Sequence, residues 1–429
     1  MPPGPRARPA AGRASFGPAL PASPMRIYLH DYGGHAFLVG LARHLARRGH
    51  AVRYSFSATN EAPQGDLAPR GDDPETFSLD PVVTDPVDKR ARSLAGLVKR
   101  RQAEARFGRA AAAHVRAWDA DVVVAANCGL DTLAALQGAA RAEGVAFVNW
   151  LQDVWSVGTR AVLHKRFGVV GDLAGRWMER REGRLLREAD AVVGITDGFR
   201  PLLDLWRVPA ERVTILENWA PLADLPQRPR DNAWAEAHGL VGHSVVLYSG
   251  TLGMKHDPAG LARLGERLAE ADPEARLVVV SSGEGADWLA ARTAERGLTN
   301  LVVLPFQPFE AFPDVLGAAD VFVAVLEPEA SAVSVPSKVL AYLCAGRPAV
   351  LSVPPDNLAA QIVMREEAGV VVPPGDADAL ADAVLALLDE DTRSGRMGAA
   401  GRAYAERAFD LDAIADRFEA VLTGALAGR

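Results

Sequence analysis

The run Ala319–Leu326 (A-D-V-F-V-A-V-L) constrains this chain most. It is apolar almost throughout and turns through small residues into an apolar helix. Gly346 and Pro348 stop that helix before a second apolar run, Ala349–Val353. Continuous apolar strands joined through a helix are the signature of a parallel sheet buried on both faces. The linking loop then lies at the C-terminal end of its strand. Ser334 or Val335 stands where an N-cap belongs, Pro336 suits the first helical position, and Ser337 and Lys338 fall in the first turn. A helix start of this kind aims unpaired amides and a positive dipole end above the sheet, which suits a phosphate. An ordinary strand–loop–helix crossover has the same outline.

The same alternation runs through the chain in two sets. Arg26–His30, Asp121–Ala126, Ala146–Leu151, Ala191–Ile195 and Val213–Leu216 read as strands of the first set. Ser244–Tyr248, Arg276–Ser281, Leu301–Leu304 and the two runs above make the second. Between the sets, 220–243 holds Pro221, Pro226 and Pro229 and reads as a linker with an entry helix. The expected organisation is a disordered extension over 1–24, a Rossmann-like domain over 25–219, a second over 220–408, and a final helix over 409–429 crossing back to the first. The fold class is α/β, two Rossmann-like domains with a cleft between them. Residues 57–88, rich in Pro, Asp and Gly, read as a loop, and Met25 stands where an ordered chain would begin.

Composition narrows the function. A net charge of −7 argues against a dedicated nucleic-acid binder. Two cysteines, Cys128 and Cys344, give neither a disulfide framework nor a metal cluster, which fits a reducing, cytoplasmic setting. No run reaches the roughly 18 apolar residues of a spanning helix. Against the acidic total, 89–118 carries nine Lys and Arg and the single acid Glu104, and 160–187 is a second basic stretch containing Phe167, Val169, Val170, Leu173 and Trp177. These read either as contacts to an anionic membrane surface or as a solvated Arg-rich face.

Two glycine loops carry the candidate chemistry. The first strand runs into Asp31-Tyr32-Gly33-Gly34-His35, where adjacent glycines admit a close backbone or ligand approach but do not form the dinucleotide fingerprint. The second set opens with S-G-T-L-G-M-K-H-D (Ser249–Asp257). There Lys255 could reach a pyrophosphate as a point charge while amides around Gly250 and Gly253 contact it. A plain turn with a solvated lysine is the alternative. A diphosphate held by such groups is a good leaving group.

Taken as a set, G-G-H at 33–35, W-L-Q-D at 150–153, Y-S-G-T-L-G-M-K-H-D-P at 248–258, L-P-F-Q-P at 304–308, V-P-S-K-V-L-A-Y-L-C-A-G-R-P at 335–348 and A-G-V-V-V-P-P-G-D at 368–376 resemble glycosyltransferase family 4. These are retaining nucleotide-sugar transferases of GT-B fold, and the likeness is to the branch that builds bacterial surface polysaccharides on lipid carriers. The resemblance implies a nucleotide-diphospho-sugar donor, a lipid-linked or glycan acceptor, no metal or other cofactor, and a cytoplasmic protein peripheral to the inner membrane face. It places Gly33, Gly34, Gly250, Gly253, Lys255, Ser334, Ser337 and Lys338 around the donor phosphates and Phe306 beside the base. Glu329 becomes a candidate sugar contact, while Asp153 and His35 are candidates to orient the acceptor hydroxyl. A strand-end cap for Asp153 and a structural loop role for His35 are the alternatives. One departure stands out: where many members carry a glutamate that holds the ribose, this chain has Ala341, and Val333 replaces its partner. A sugar-nucleotide 2-epimerase of the same fold and a catalytically silent binding scaffold remain alternatives.

Overall fold

A computed structural model describes residues 23–60, 65–85, 94–253, 256–327 and 335–429. Of the expected disordered extension, 1–22 lie outside the described residues. Met25 is buried, and its N–H donates to His50 Nδ1 at 3.1 Å.

The first sheet contains β1 (Arg26–Asp31), β2 (Ala51–Ser57), β3 (Phe77–Val82), β4 (Val122–Ala126), β5 (Ala146–Leu151), β6 (Ala191–Gly194) and β7 (Val213–Ile215). The second contains β8 (Val245–Ser249), β9 (Arg276–Val280), β10 (Leu301–Leu304), β11 (Val321–Val325), β12 (Ala349–Ser352) and β13 (Gly369–Val372). Strand order is β3-β2-β1-β4-β5-β6-β7 in one and β10-β9-β8-β11-β12-β13 in the other. Every pairing is parallel. Both orders reverse once, between β1 and β4 and between β8 and β11. At such a switch point adjacent crossovers leave in opposite directions and open a crevice at the C-terminal strand edge. The central strands are apolar on both faces because helices cover both.

Two sequence expectations need correction. The stretch read as a loop over 57–88 contains β3, which pairs with β2 from Val52↔Phe77 to Ser57↔Val82. Its Pro81 suggests a non-strand segment, but β3 is the sheet edge, where a missing N–H costs no ladder bond on the outer side. The helix after β11 is Lys338–Ala345, so Pro336 lies outside it and Ser337 is the N-cap, without a side-chain cap bond. The basic stretch 160–187 belongs to one long element, considered below.

Four helices of the first domain matter for the site: α1 (Ala36–Arg47), α2 (Leu94–Arg116), α3 (Leu130–Ala142) and α4 (Trp155–Glu188). The C-terminal helix Leu411–Ala427 returns from the second domain and packs on the first. Its Phe418 ring lies 4.9 Å from that of Trp150 at the end of β5. Its Glu419 meets Arg48 Nε at 2.8 Å and His50 Nε2 at 3.1 Å, and Asp412 meets His44 Nε2 at 2.9 Å. An apolar anchor flanked by partly buried ion pairs holds this crossing in one register.

Candidate functional site

Each switch point carries one cluster of predicted residues. In the first domain the organiser is Asp31, the last residue of β1 and fully buried. Its carboxylate accepts from the His35 backbone N–H at 2.6 Å, the Gly33 N–H at 3.2 Å, the Tyr54 hydroxyl at 2.7 Å and Asn127 Nδ2 at 3.1 Å. The His35 ring meets it through Nδ1, at 2.9 Å to Oδ1. Burial alone would raise the pKa of Asp31, but the His35 charge and the hydrogen bonds from His35 and Tyr54 bring it down to about 2. For His35, burial works against the charged form, and the Asp31 carboxylate, its hydrogen bond and the charge of Asp153 together raise the pKa above its ordinary value. The ring keeps 37 % of its side chain open to solvent, so it is both anchored and reachable.

The glycines beside it have distinct reasons to be glycine. A Cβ on Gly33 would stand 1.9 Å from the His35 ring, which folds back over the loop. Gly34 has φ +67°, where L side chains are strained, and its carbonyl accepts from Gly65 N–H at 2.8 Å. His35 is the N-cap of α1, so the loop delivers its ring to the start of that helix.

Asp153 follows β5, two strands from β1 across β4, and its charge is felt at His35. The structure therefore brings these two candidates together. Its neighbours are tightly held. Gln152 and Asn218 exchange side-chain hydrogen bonds of 3.1 and 2.6 Å, and buried Glu182 accepts from the Trp155 and Ser156 N–H groups at 3.2 and 2.9 Å. Desolvation raises the Glu182 pKa, and those amides at the start of α4 oppose it.

In the second domain the groups around β8 close on a glycine backbone. Gly250 has φ +135°, a conformation that L side chains rarely adopt, and Lys338 lies close over it, its Cε 2.7 Å from where a Cβ would stand. Lys338 Nζ sits 4.1 Å from the centroid of the Tyr248 ring and bonds the Tyr248 hydroxyl. One turn on, the Tyr342 hydroxyl accepts from Ser249 N–H at 2.9 Å and donates to the Ser249 carbonyl at 3.1 Å, fixing the β8 end against this helix. The Ser281 hydroxyl donates to the Gly250 carbonyl at 2.8 Å, and Gly253 N–H donates to His256 Nδ1 at 3.0 Å. Phe306 lies part-buried just past β10, beyond β9 from this cluster, and Gln307 accepts from Trp234 Nε1 at 3.1 Å. Ser337 is exposed at the helix start. Lys255, Glu329 and Ser334 lie outside the described residues. Ala341 is buried on the helix Lys338–Ala345, so the position offers a methyl group where the resemblance would place a ribose carboxylate.

Sequence reasoning missed Asp31, Tyr54, Asn127, Glu182 and Tyr248. Asp31 had a visible signal, an acid at a strand end four residues before a loop histidine. Asn127 had none, because its φ of +50° appears only in the fold.

Comparison with known proteins gives a domain type to each half of the chain. The profile of the Glycosyl transferase 4-like domain matches residues 33–219, and that of Glycosyl transferases group 1 matches residues 243–390. A protein described as a colanic acid biosynthesis glycosyl transferase of Escherichia coli K12 is 26 % identical over 219 residues, 49 % of this chain and 51 % of its own length. A GDP-mannose-dependent monoacylated alpha-(1-6)-phosphatidylinositol monomannoside mannosyltransferase of Corynebacterium glutamicum is 28 % identical over 36 % of this chain and 41 % of its own. The chain thus spans about half the length of these curated relatives. Among solved structures, Anabaena HepE, crystallised with UDP and glucose, superposes with a TM-score of 0.68 at 15 % identity, covering 93 % of this chain and 99 % of that one. This chain therefore joins a glycosyl transferase 4-like domain to a glycosyl transferases group 1 domain in the two-domain GT-B fold, the build of a glycosyltransferase.

Proposed function

We propose that this chain is a glycosyltransferase that moves a sugar from a nucleotide-diphospho-sugar to a lipid-linked or glycan acceptor, with retention of configuration, in the synthesis of surface polysaccharide. The observation that supports the reading is Lys338 packed over the Gly250 backbone at the second switch point, the kind of crevice where open α/β sheets take their ligands. In this reaction the bond from the anomeric carbon to the β-phosphate oxygen breaks, and a bond to the acceptor oxygen forms on the same face. The acceptor proton passes to the departing diphosphate oxygen, and the nucleoside diphosphate leaves. Lys338, Lys255 and the amides near Ser334 and Ser337 meet the developing phosphate charge without a metal. Glu329 contacts the sugar. His35, braced by Asp31, and Asp153 orient the acceptor hydroxyl. The protein works on the inner face of the plasma membrane as a peripheral protein, and its basic stretches face anionic lipid.

The names of the relatives support the donor class. One is GDP-mannose-dependent, and HepE was crystallised with UDP and glucose and with UDP-glucose. The relative connected with colanic acid supports the surface-polysaccharide setting.

A thermal-shift screen of UDP-, GDP-, dTDP- and ADP-sugars against the free nucleotides tests the proposal. Saturating one nucleotide series at a hundredfold excess over Kd should stabilise the fold by about 2.7 kcal/mol. Lys255→Ala and Lys338→Ala should each abolish the shift. If no series shifts the protein, the buried Ala341 becomes the leading clue and a silent scaffold replaces the transferase. Binding without transfer, but with inversion at the sugar C2, would instead identify a 2-epimerase.

A further inference from the structure

Helix α4 is not one rod. Gly168, with φ +56° and ψ −132°, breaks it into two arms that fold back on each other. A Cβ on Gly171 would stand 2.0 Å from the Leu163 carbonyl oxygen, and one on Gly175 would stand 2.4 Å from Arg160 Cγ, so glycines let the arms touch. Arg160 staples them, with Nε on Asp172 at 2.7 Å and Nη1 on Glu179 at 3.1 Å. Glu182 of the second arm closes the base by capping the amides of Trp155 and Ser156. The base begins two residues after Asp153. At ~1.5 Å per residue the first arm carries the turn about 20 Å along the hairpin from it.

That turn is apolar and exposed. Val169 and Val170 each leave 74 % of their surface open, Leu173 62 % and Trp177 47 %, with Phe167 and Val162 beside them. Single exposed apolar residues are ordinary, but six within sixteen positions of one hairpin are a patch. Basic groups rim it. Lys165, Arg166 and Arg180 are exposed on the hairpin, as are Lys99 and Arg100 on α2, and Arg101 of α2 lies 4.9 Å over the Trp177 ring. The acids on the hairpin are already engaged: Asp172 with Arg160 and Arg176, Glu179 with Arg160.

We infer that this hairpin tip is the membrane-insertion element of the protein. Its valines, leucine and phenylalanine enter the acyl boundary, and its rim of Lys and Arg meets anionic phospholipid headgroups. An apolar tip with a basic rim complements an anionic bilayer surface. The same rim opposes a second copy of this chain, whose tip would present the same charge. The inference takes its purpose from the proposed lipid-linked acceptor: the hairpin base adjoins Asp153, so insertion of the tip would hold the acceptor side of the site at a set height above the lipid.

Vesicle sedimentation tests it with the full chain. Wild-type protein should sediment with 3:1 phosphatidylcholine:phosphatidylglycerol vesicles and not with phosphatidylcholine alone. Val169→Asp/Val170→Asp/Leu173→Asp should weaken binding by more than about tenfold, and Lys165→Glu/Arg166→Glu by about tenfold, each with an unchanged melting curve. Cys128 and Cys344 are buried, so a polarity-sensitive dye on Val170→Cys reports the tip alone. Its emission should shift to the blue on anionic vesicles, while a dye on exposed Val241→Cys in the second domain should not. Unchanged binding by the triple variant, no preference for anionic vesicles, or a tip-dependent dimer without vesicle binding would each overturn the inference. Vesicle binding needs no turnover. Protein that binds vesicles but transfers no sugar leaves this inference standing and removes the transferase reading. Protein that glycosylates a soluble acceptor yet ignores vesicles does the reverse.

Discussion

The two switch points hold their side-chain clusters by different means. In the first domain a buried carboxylate gathers donors from the loop, β2 and the β4 end and fixes a half-open histidine. In the second, Gly250 lets Lys338 lie close over the backbone, and β8 is tied to the helix Lys338–Ala345 through Tyr342 on Ser249. The first arrangement suits a group that must be oriented and hold or release a proton. The second suits a bound anion, which needs fixed positive charge and amides more than proton transfer. One sheet topology thus supports two kinds of preorganisation, set by whether a buried carboxylate ends the first strand or a glycine follows it.

Substitutions at the two ends should break this contrast to different degrees. The largest expected effect is from Asp31→Ala, which strands the buried Tyr54, Asn127 and His35 groups that now share one acceptor. Loss of one partner in a buried charged network costs about 3–5 kcal/mol, so urea unfolding should show a loss of that size in the unfolding free energy, read as a lower midpoint at unchanged m. A variant as stable as wild type would mean the network is not organised by its carboxylate. Next is Lys338→Ala, which leaves the fold intact but should lower kcat/KM for sugar transfer about 100-fold, the usual cost of one lost charge-stabilising donor. Unchanged kcat/KM would remove Lys338 from the donor site.

Acid should then affect the first cluster specifically. The Asp31 pKa falls from 3.8 to about 2, so its stabilisation is complete above 3.8 and is lost as pH falls toward 2. That difference amounts to about 2 kcal/mol. His35 has the opposite sign: its raised pKa contributes stability below 6.5 that disappears as pH climbs through the raised value. Asp31→Asn should flatten the acid limb of a stability-versus-pH curve, and His35→Gln the limb above 6.5. A curve identical to wild type in both variants would remove this pair as the source.

The smallest effect sharpens the comparison most. Gly33→Ala should push the His35 ring off Asp31, at a cost near one hydrogen bond, about 0.5–1.5 kcal/mol. In a His35→Ala background that cost should vanish, because the atoms that clash are gone. Additive losses in this double-mutant cycle would show that Gly33 acts through something other than the ring.

Much of the fold was legible because parallel strands buried on both faces write themselves as apolar runs, and the glycine loops at their ends are short and local. β3 was hidden by Pro81 within a polar stretch, since an edge strand needs neither a full ladder nor an apolar outer face. The hairpin in α4 was hidden for a related reason. Gly168 carries no stronger local signal than Gly171 or Gly175, yet only Gly168 adopts the positive φ, because the staples from Arg160 reach across 12 and 19 residues.

The sequence by itself determined the alternating α/β pattern and the two glycine loops, and it offered His35, Asp153, Gly250 and Lys338 as candidates. Only the tertiary structure decided which acid organises the first loop, since the partners of Asp31 lie 23 and 96 residues away. It also decided that the apolar residues after Phe167 gather at one exposed tip, and that Phe418 braces Trp150 from the far end of the chain. Strand runs and turn glycines express local backbone energetics, which a short window of residues specifies. A buried carboxylate's partners and an exposed patch are set by long-range packing, and no local window contains them.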